Sequence, residues 1–366
     1  MDTAMPAKTE RNAGLDLLRM VSMLLVVILH LLGRGGVLAA IQPFTATYKL
    51  AWLLESAAYC AVDCYALLTG YLLLRSRCRP GSLIGLWMQV FCYSAGITAL
   101  FAIFRQSVSL GRFLQACLPV SFTQYWYFTA YFAVYCLAPF FNRLLLSLSQ
   151  SAWKRLLVTL FLLLSVLPTL LGADPFVTNA GYSFLWLSAL YALGAYLREY
   201  PPKARRSTVW LGGYAACILL LTGFRFVVEK IEFARTGAVG HGGWLLSYPS
   251  PVVLTAAVCL FQFCRELKLT SRPVRAVIGF FAPVSFGVYL LHAQPFVFHR
   301  ILDGALVPLL TLPAWQFALV VLGLALAIFV AGCLVDWVRV LVFRILCLPK
   351  LAAYLGEKLE RHLPQI

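Results

Sequence analysis

The sequence predicts an all-α membrane protein, a bundle of about ten transmembrane helices with both termini cytoplasmic. Three observations carry that prediction. Of the 366 residues, 61% are hydrophobic and only 12% charged, where soluble domains have roughly 45–50% and 25%. Ten apolar stretches follow one another, each near the about 20 residues that a helix needs to cross a hydrocarbon core about 30 Å thick. The basic residues between these stretches fall unevenly on the two sides, as loop charge does in polytopic proteins.

The stretches lie at approximately 15–33, 51–74, 83–104, 125–146, 155–172, 182–197, 209–226, 246–264, 277–298 and 314–338. The first follows Lys8 and Arg11, like the start of a signal peptide, but Asp16 and Arg19 interrupt its apolar run. No small-residue cleavage site follows cleanly, so it reads as a retained helix. The second carries Glu55 and Asp63, eight residues apart and on roughly one helical face. The fourth opens with Trp126, Tyr127, Tyr131 and Tyr135, either an aromatic belt at the interface or a surface for stacking on a sugar or acyl group. The sixth is short and the tenth long. A loop at about 227–245, before the eighth, holds Gly237, Gly240, Gly242 and Gly243 beside His241, a flexible composition that suits a connector or a cover over a substrate. The ninth contains Pro295, which kinks or ends a helix and frees backbone carbonyls. Residues 1–345 therefore form one polytopic domain. The tail 346–366 places Leu355, Leu359 and Leu363 among charges, the pattern of a short interfacial amphipathic helix.

The formal charge is +16. Its basic residues sit in short clusters between apolar runs, which suits anionic headgroups and anionic ligands and argues against nucleic acid. With the N-terminus inside, cytoplasmic segments hold 21 Lys and Arg against eight outside, with Arg19 inside the first helix. The eleven cysteines are scattered singly, without zinc spacing or a secreted disulfide pattern. Cys60 and Cys64, one turn apart, read as small packing residues. No metal site is expected, and GxSxG, Walker A, HExxH and GxGxxG units are missing. His299 and Asp303 have three intervening residues, one short of the HxxxxD spacing of glycerolipid acyltransferases.

Ionisable groups inside a membrane cost about 2.5–3.5 kcal/mol each, so each needs a reason. In the first helix Asp16, Arg19, Ser22, Val26 and His30 recur at spacings of three or four. Arg19 and His30 lie on nearly one line about 16 Å apart. His30 reads either as a proton-exchanging base or as an interhelical hydrogen-bonder beside an Asp16–Arg19 ion pair. Ser285, Tyr289, His292 and His299 form a second stripe. His292 is either structural or part of the same site. Glu55 and Asp63 are candidates for partnering the histidines, binding substrate or conducting protons.

These residues bear a resemblance. RNAGLDLLRMVSMLLVVILH at 11–30 resembles the acyltransferase-3 family of bacterial integral-membrane acyltransferases, of O-acetyltransferase type, whose first helix carries LDxLR and an Arg-x10-His pattern. Arg19 and His30 occupy its two positions. AVDCYALLTGYLL at 61–73, YWYFTAYFAVYCLAPFFN at 125–142 and FGVYLLH at 286–292 are further similarities. There is a departure: family members often show RxxR near the third helix, whereas here Arg75, Arg77 and Arg79 alternate and RxxR occurs only at Arg272 and Arg275.

The resemblance implies an acyltransferase of the bacterial cytoplasmic membrane that modifies hydroxyls of an envelope polysaccharide or related molecule. Its donor would be cytoplasmic acyl-CoA, most often acetyl-CoA, with no permanently bound cofactor. CoA is anionic, so Arg75, Arg77, Arg79 and Arg19 are the candidates to meet its phosphates. His30 is then the general base or transient acyl carrier, Asp16 orients Arg19, and Trp126, Tyr289 and His292 line the cavity with Glu55 and Asp63. The rival readings are a proton-coupled transporter, which buried carboxylates and histidines would also suit, and a non-catalytic envelope-assembly protein. No Gly/Pro-broken helices in matching halves support the transporter.

Overall fold

The computed structural model describes residues 12–76, 78–104, 107–203 and 206–362. Among them there is no β-strand. The main helices are α1 (Ala13–Gly33), α2 (Ala46–Ala58), α3 (Ala61–Leu73), α4 (Pro80–Ile103), α5 (Trp126–Ser147), α6 (Gln150–Phe161), α7 (Phe184–Glu199), α8 (Ser207–Thr236), α9 (Pro251–Glu266), α10 (Arg272–Phe281), α11 (Ser285–His292), α12 (Ala314–Ile345) and α13 (Leu348–His362).

α1 is the hub, packed against α2, α3, α9, α10, α11 and α12. Its start is fixed by Asn12, whose side-chain oxygen accepts from the backbone N–H of Gly14 at 2.9 Å and whose amide donates to the Arg265 carbonyl at 3.2 Å. Gly14 lets the chain approach α9 this closely: a Cβ there would meet the Cys264 carbonyl oxygen at 1.9 Å. Backbone contact through small residues recurs between α3 and α7, where a Cβ on Gly70 or Gly194 would lie 2.0 or 2.1 Å from the carbonyl oxygens of Tyr191 and Leu67.

Eight helical segments among the described residues are long and apolar enough to cross a membrane: Ala13–Ala40, Ala46–Leu73, Pro80–Ile103, Trp126–Ser147, Gln150–Leu171, Ser207–Thr236, Arg272–His292 and Ala314–Ile345. The expected sixth and eighth segments are α7 and α9, each only 16 residues, or about 24 Å. Both contribute heavily to the buried core, with Trp186, Leu190, Tyr191, Val253, Ala257 and Phe261.

Several segments differ from the sequence reading in ways that matter for the site. The second is two helices, broken at Tyr59 and Cys60, so Glu55 and Asp63 do not share one continuous helical face. The seventh runs on to Thr236, ten residues beyond its expected end, and Arg225 and Glu229 pair within it at i,i+4, 2.7 Å apart. The glycine-rich loop after it is clipped down: Glu232 accepts from the N–H groups of Gly240 and His241 at 2.8 and 3.0 Å, and Trp244 donates to the Thr169 carbonyl at 2.6 Å. The ninth ends at His292, and Pro295 opens a new short helix whose first N–H groups are capped by the Gln294 side chain. The tail forms a helix docked on α4, where Ala352 is buried and a Cβ on Gly356 would lie 2.3 Å from the Gly81 nitrogen. Leu363 lies outside the described residues.

Candidate active site

His30 sits three residues before the end of α1, and α11 brings His292 against it. His30 Nδ1 and His292 Nε2 are 2.8 Å apart, and His292 Nδ1 is 2.5 Å from the Val288 carbonyl oxygen. A carbonyl can only accept, so His292 carries its proton on Nδ1. With both rings neutral, His292 Nε2 then accepts from His30 Nδ1–H, and the unprotonated nitrogen of His30 is Nε2. This assignment follows from the hydrogen-bond network.

α11 is in turn seated on α12. A Cβ on Gly287 would meet the Asp336 carboxyl carbon at 2.4 Å, and one on Gly332 would meet the Val288 Cα at 2.9 Å. Asp336 is fully buried and fully engaged, with Arg339 at 2.6 and 2.9 Å and with Gln89 and Tyr93 of α4 donating at 3.0 Å each. Its charge is compensated locally, and the helix carrying His292 is thereby keyed to α4 and α12.

His30 lines a cavity of about 230 Å³. Of the sequence candidates, Glu55, Trp126 and Tyr289 line it too. His292 stands behind His30, 6% exposed, and is not itself part of the lining. Asp63 is elsewhere, buried and accepting from Trp186 Nε1 at 3.0 Å. The turn at Tyr59 and Cys60 separates the two carboxylates: Glu55 and Tyr59 face the cavity while Asp63 meets α7. Arg19 pairs with Asp16 at 3.0 Å and its carbonyl accepts from Tyr65 at 2.7 Å. Neither lines the cavity.

Among the basic loop residues, Arg75 is held in a fork by Glu199 at 2.7 to 3.0 Å. Arg79 is exposed at the start of α4, with no ion pair among the described residues. Arg77 lies outside the described residues.

The reading from sequence missed Arg34. It lines the cavity one turn beyond His30 and donates to Asp303 at 2.8 Å, with His299 Nδ1 2.6 Å away and its guanidinium 5.5 Å from the Phe298 ring centre. The i,i+4 spacing from His30 placed it on the same face. His299 and Asp303, spaced too closely for an acyltransferase motif, are its partners. Also missed were Tyr182 and Tyr248, which reach the cavity from loops where helical periodicity gives no orientation.

The family model described as "Acyltransferase domain" matches residues 12–332, nearly the whole chain. No curated protein and no solved structure matches. A first helix capped by Asn12, an Arg19-to-His30 stripe inside the match and apolar helices of membrane-spanning length lead to one conclusion: the chain belongs to the acyltransferase-3 family and is a membrane acyltransferase.

Proposed function

We propose that the protein transfers an acyl group, in the simplest case acetyl, from cytoplasmic acyl-CoA to a hydroxyl of a cell-envelope glycan or related lipid-linked acceptor, in the bacterial cytoplasmic membrane. The observation that carries this reading is the chain from the Val288 carbonyl through His292 to His30, which leaves His30 Nε2 as the basic nitrogen beside a cavity large enough for a substrate.

In the reaction, His30 Nε2 takes the proton of the acceptor hydroxyl as its oxygen attacks the thioester carbonyl carbon. The new C–O bond forms, the C–S bond breaks with its electron pair going to sulfur, and the imidazolium returns its proton to the departing thiolate. His292 steadies the cation by accepting from His30 Nδ1–H throughout. Asp16 holds Arg19 in place. Arg79, with Arg77, Arg75 and Arg19, attracts the CoA phosphates from the cytoplasmic side.

This reading carries with it ten membrane crossings, α7 and α9 included, and both termini in the cytoplasm, supported by the 21-to-eight distribution of basic residues. The interfacial tail helix is part of it, since Leu351, Tyr354 and Leu359 are exposed on α13 beside Lys350 and Lys358.

The test is transfer from labelled acetyl-CoA by purified protein in lipid nanodiscs, with extracted envelope glycans as acceptor. His30→Ala and His30→Gln, assayed as folded protein, should each lose about 10²- to 10⁴-fold in turnover. Near-normal turnover by folded His30→Gln removes His30 as the base.

A further inference from the structure

The wall of the cavity away from His30 is aromatic and continuous. Trp126 and Tyr182 have ring centres 4.5 Å apart, Tyr182 and Tyr248 5.1 Å, Tyr59 and Tyr248 5.0 Å, and Trp126 lies nearly parallel to Tyr248 at 6.3 Å. All four rings line the cavity. Rings that recognise an ammonium group surround it, with the cation within about 6 Å of each ring centre. Here the rings pack on one another at tilts of 25° to 54°, a wall whose ring surface is available to the apolar face of a sugar ring.

Beside this platform stands Glu55. It lines the same cavity and is 7% exposed, and its Oε2 is buried without a hydrogen-bond partner. A buried carboxyl oxygen left unpaired is costly. The terminal torsion of Glu is broad and roughly two-fold, so either oxygen can turn to a ligand. Arg225 makes no hydrogen bond to it, its guanidinium lying 2.7 Å from Glu229 and 3.2 Å from the Trp52 ring centre. Size narrows the ligand further. An apolar cavity of about 150 Å³ takes benzene, so one of about 230 Å³ has room for one substituted six-membered ring.

We infer that Glu55 is the acceptor-anchoring residue: with one pyranose ring stacked on the Trp126–Tyr182–Tyr248 platform, its carboxyl group binds hydroxyls next to the one presented to His30 and so decides which position is acylated. This assignment rests on the proposed acyl transfer and deepens it, from a class of reaction to the residue that sets regiochemistry.

The experiment uses the full-length protein in nanodiscs, with the methyl glycosides of glucose, mannose, galactose and N-acetylglucosamine, and choline, as acceptors for labelled acetyl-CoA. Binding of each is read separately by saturation-transfer NMR. The expected result is Glu55-dependent binding of at least one glycoside, with one predominant ester position. Glu55→Gln, nearly the same size, should raise the acceptor KM tenfold or more and spread product over several positions, while the donor KM moves less than twofold. Glu55→Asp should recover part of the positional preference, which a merely structural role would not give.

Unchanged acceptor KM and unchanged product position in folded Glu55→Gln overturn the assignment. So does binding of choline in preference to every glycoside, or the absence of any glycoside binding. Glycoside binding that depends on Glu55 in a protein that transfers nothing overturns the acyl-transfer reading and leaves the binding role of Glu55 standing.

Discussion

His30 Nδ1 donates to His292 Nε2 only while His292 keeps its own proton on Nδ1, and the Val288 carbonyl at 2.5 Å holds it there. In the proposed reaction His292 acts through His30 as a positioning residue, and the two should behave as a unit. His292→Ala should lower kcat by less than His30→Ala does, and the double variant should be no worse than His30→Ala alone, because residues acting together are non-additive. Additive losses in that double-mutant cycle would separate the two side chains. The same reasoning ranks the arginines proposed to meet the donor. Arg75 is already forked to Glu199 while Arg79 has no ion pair among the described residues, so Arg79→Gln should raise the acetyl-CoA KM and reduce its salt sensitivity more than Arg75→Gln. The reverse order would place the donor phosphates nearer Glu199. Both histidines were readable in the sequence from their helical stripes. Their contact, 262 positions apart, was not, since periodicity assigns a residue to a face without saying which face it meets.

Elements that break the helical rule shape the cavity. Tyr59 and Cys60 interrupt the second span, which turns Glu55 to the cavity and Asp63 to Trp186; eight residues apart, the two had read as sharing roughly one helical face. Tyr182 and Tyr248 arrive on loops, and their approach depends on Gly181. Its φ is +93°, and a Cβ there would meet the Tyr248 Cβ at 2.5 Å. Gly181→Ala thus combines backbone strain of about 1–3 kcal/mol with displacement of the aromatic platform. It should lower the melting temperature of the purified protein and raise the acceptor KM. Gly212→Ala is the matched control, because a Cβ there meets nothing within 4 Å and the residue lies inside α8, where Ala suits a helix better than Gly by about 1 kcal/mol. If both substitutions melt alike, the close approach of Gly181 to Tyr248 does not support the wall. No sequence signal marked Gly181, since a glycine needed for a close approach looks like any loop glycine until its neighbour is known.

At the scale of the whole molecule, the all-helical bundle was legible because lipid forces long apolar runs. The number of crossings was less so, because helices buried in protein escape that demand. α7 and α9, at 16 residues each, are too short to meet the length of a lipid-exposed span, yet α7 is packed backbone to backbone on α3 through Gly70 and Gly194. Eight crossings and ten both return the C-terminus to the side of the N-terminus, so the ends of the chain cannot distinguish them. The loops at 200–206 and 237–245 can. If α7 and α9 cross, the first loop, near Arg198, Lys203, Arg205 and Arg206, is cytoplasmic and the second is external, as the excess of basic residues favours. If neither crosses, the two loops exchange sides. An epitope inserted after Lys203 of the full chain should therefore be reached by antibody only in permeabilised spheroplasts, and one after His241 in intact spheroplasts as well. The opposite pattern at both positions leaves eight crossings.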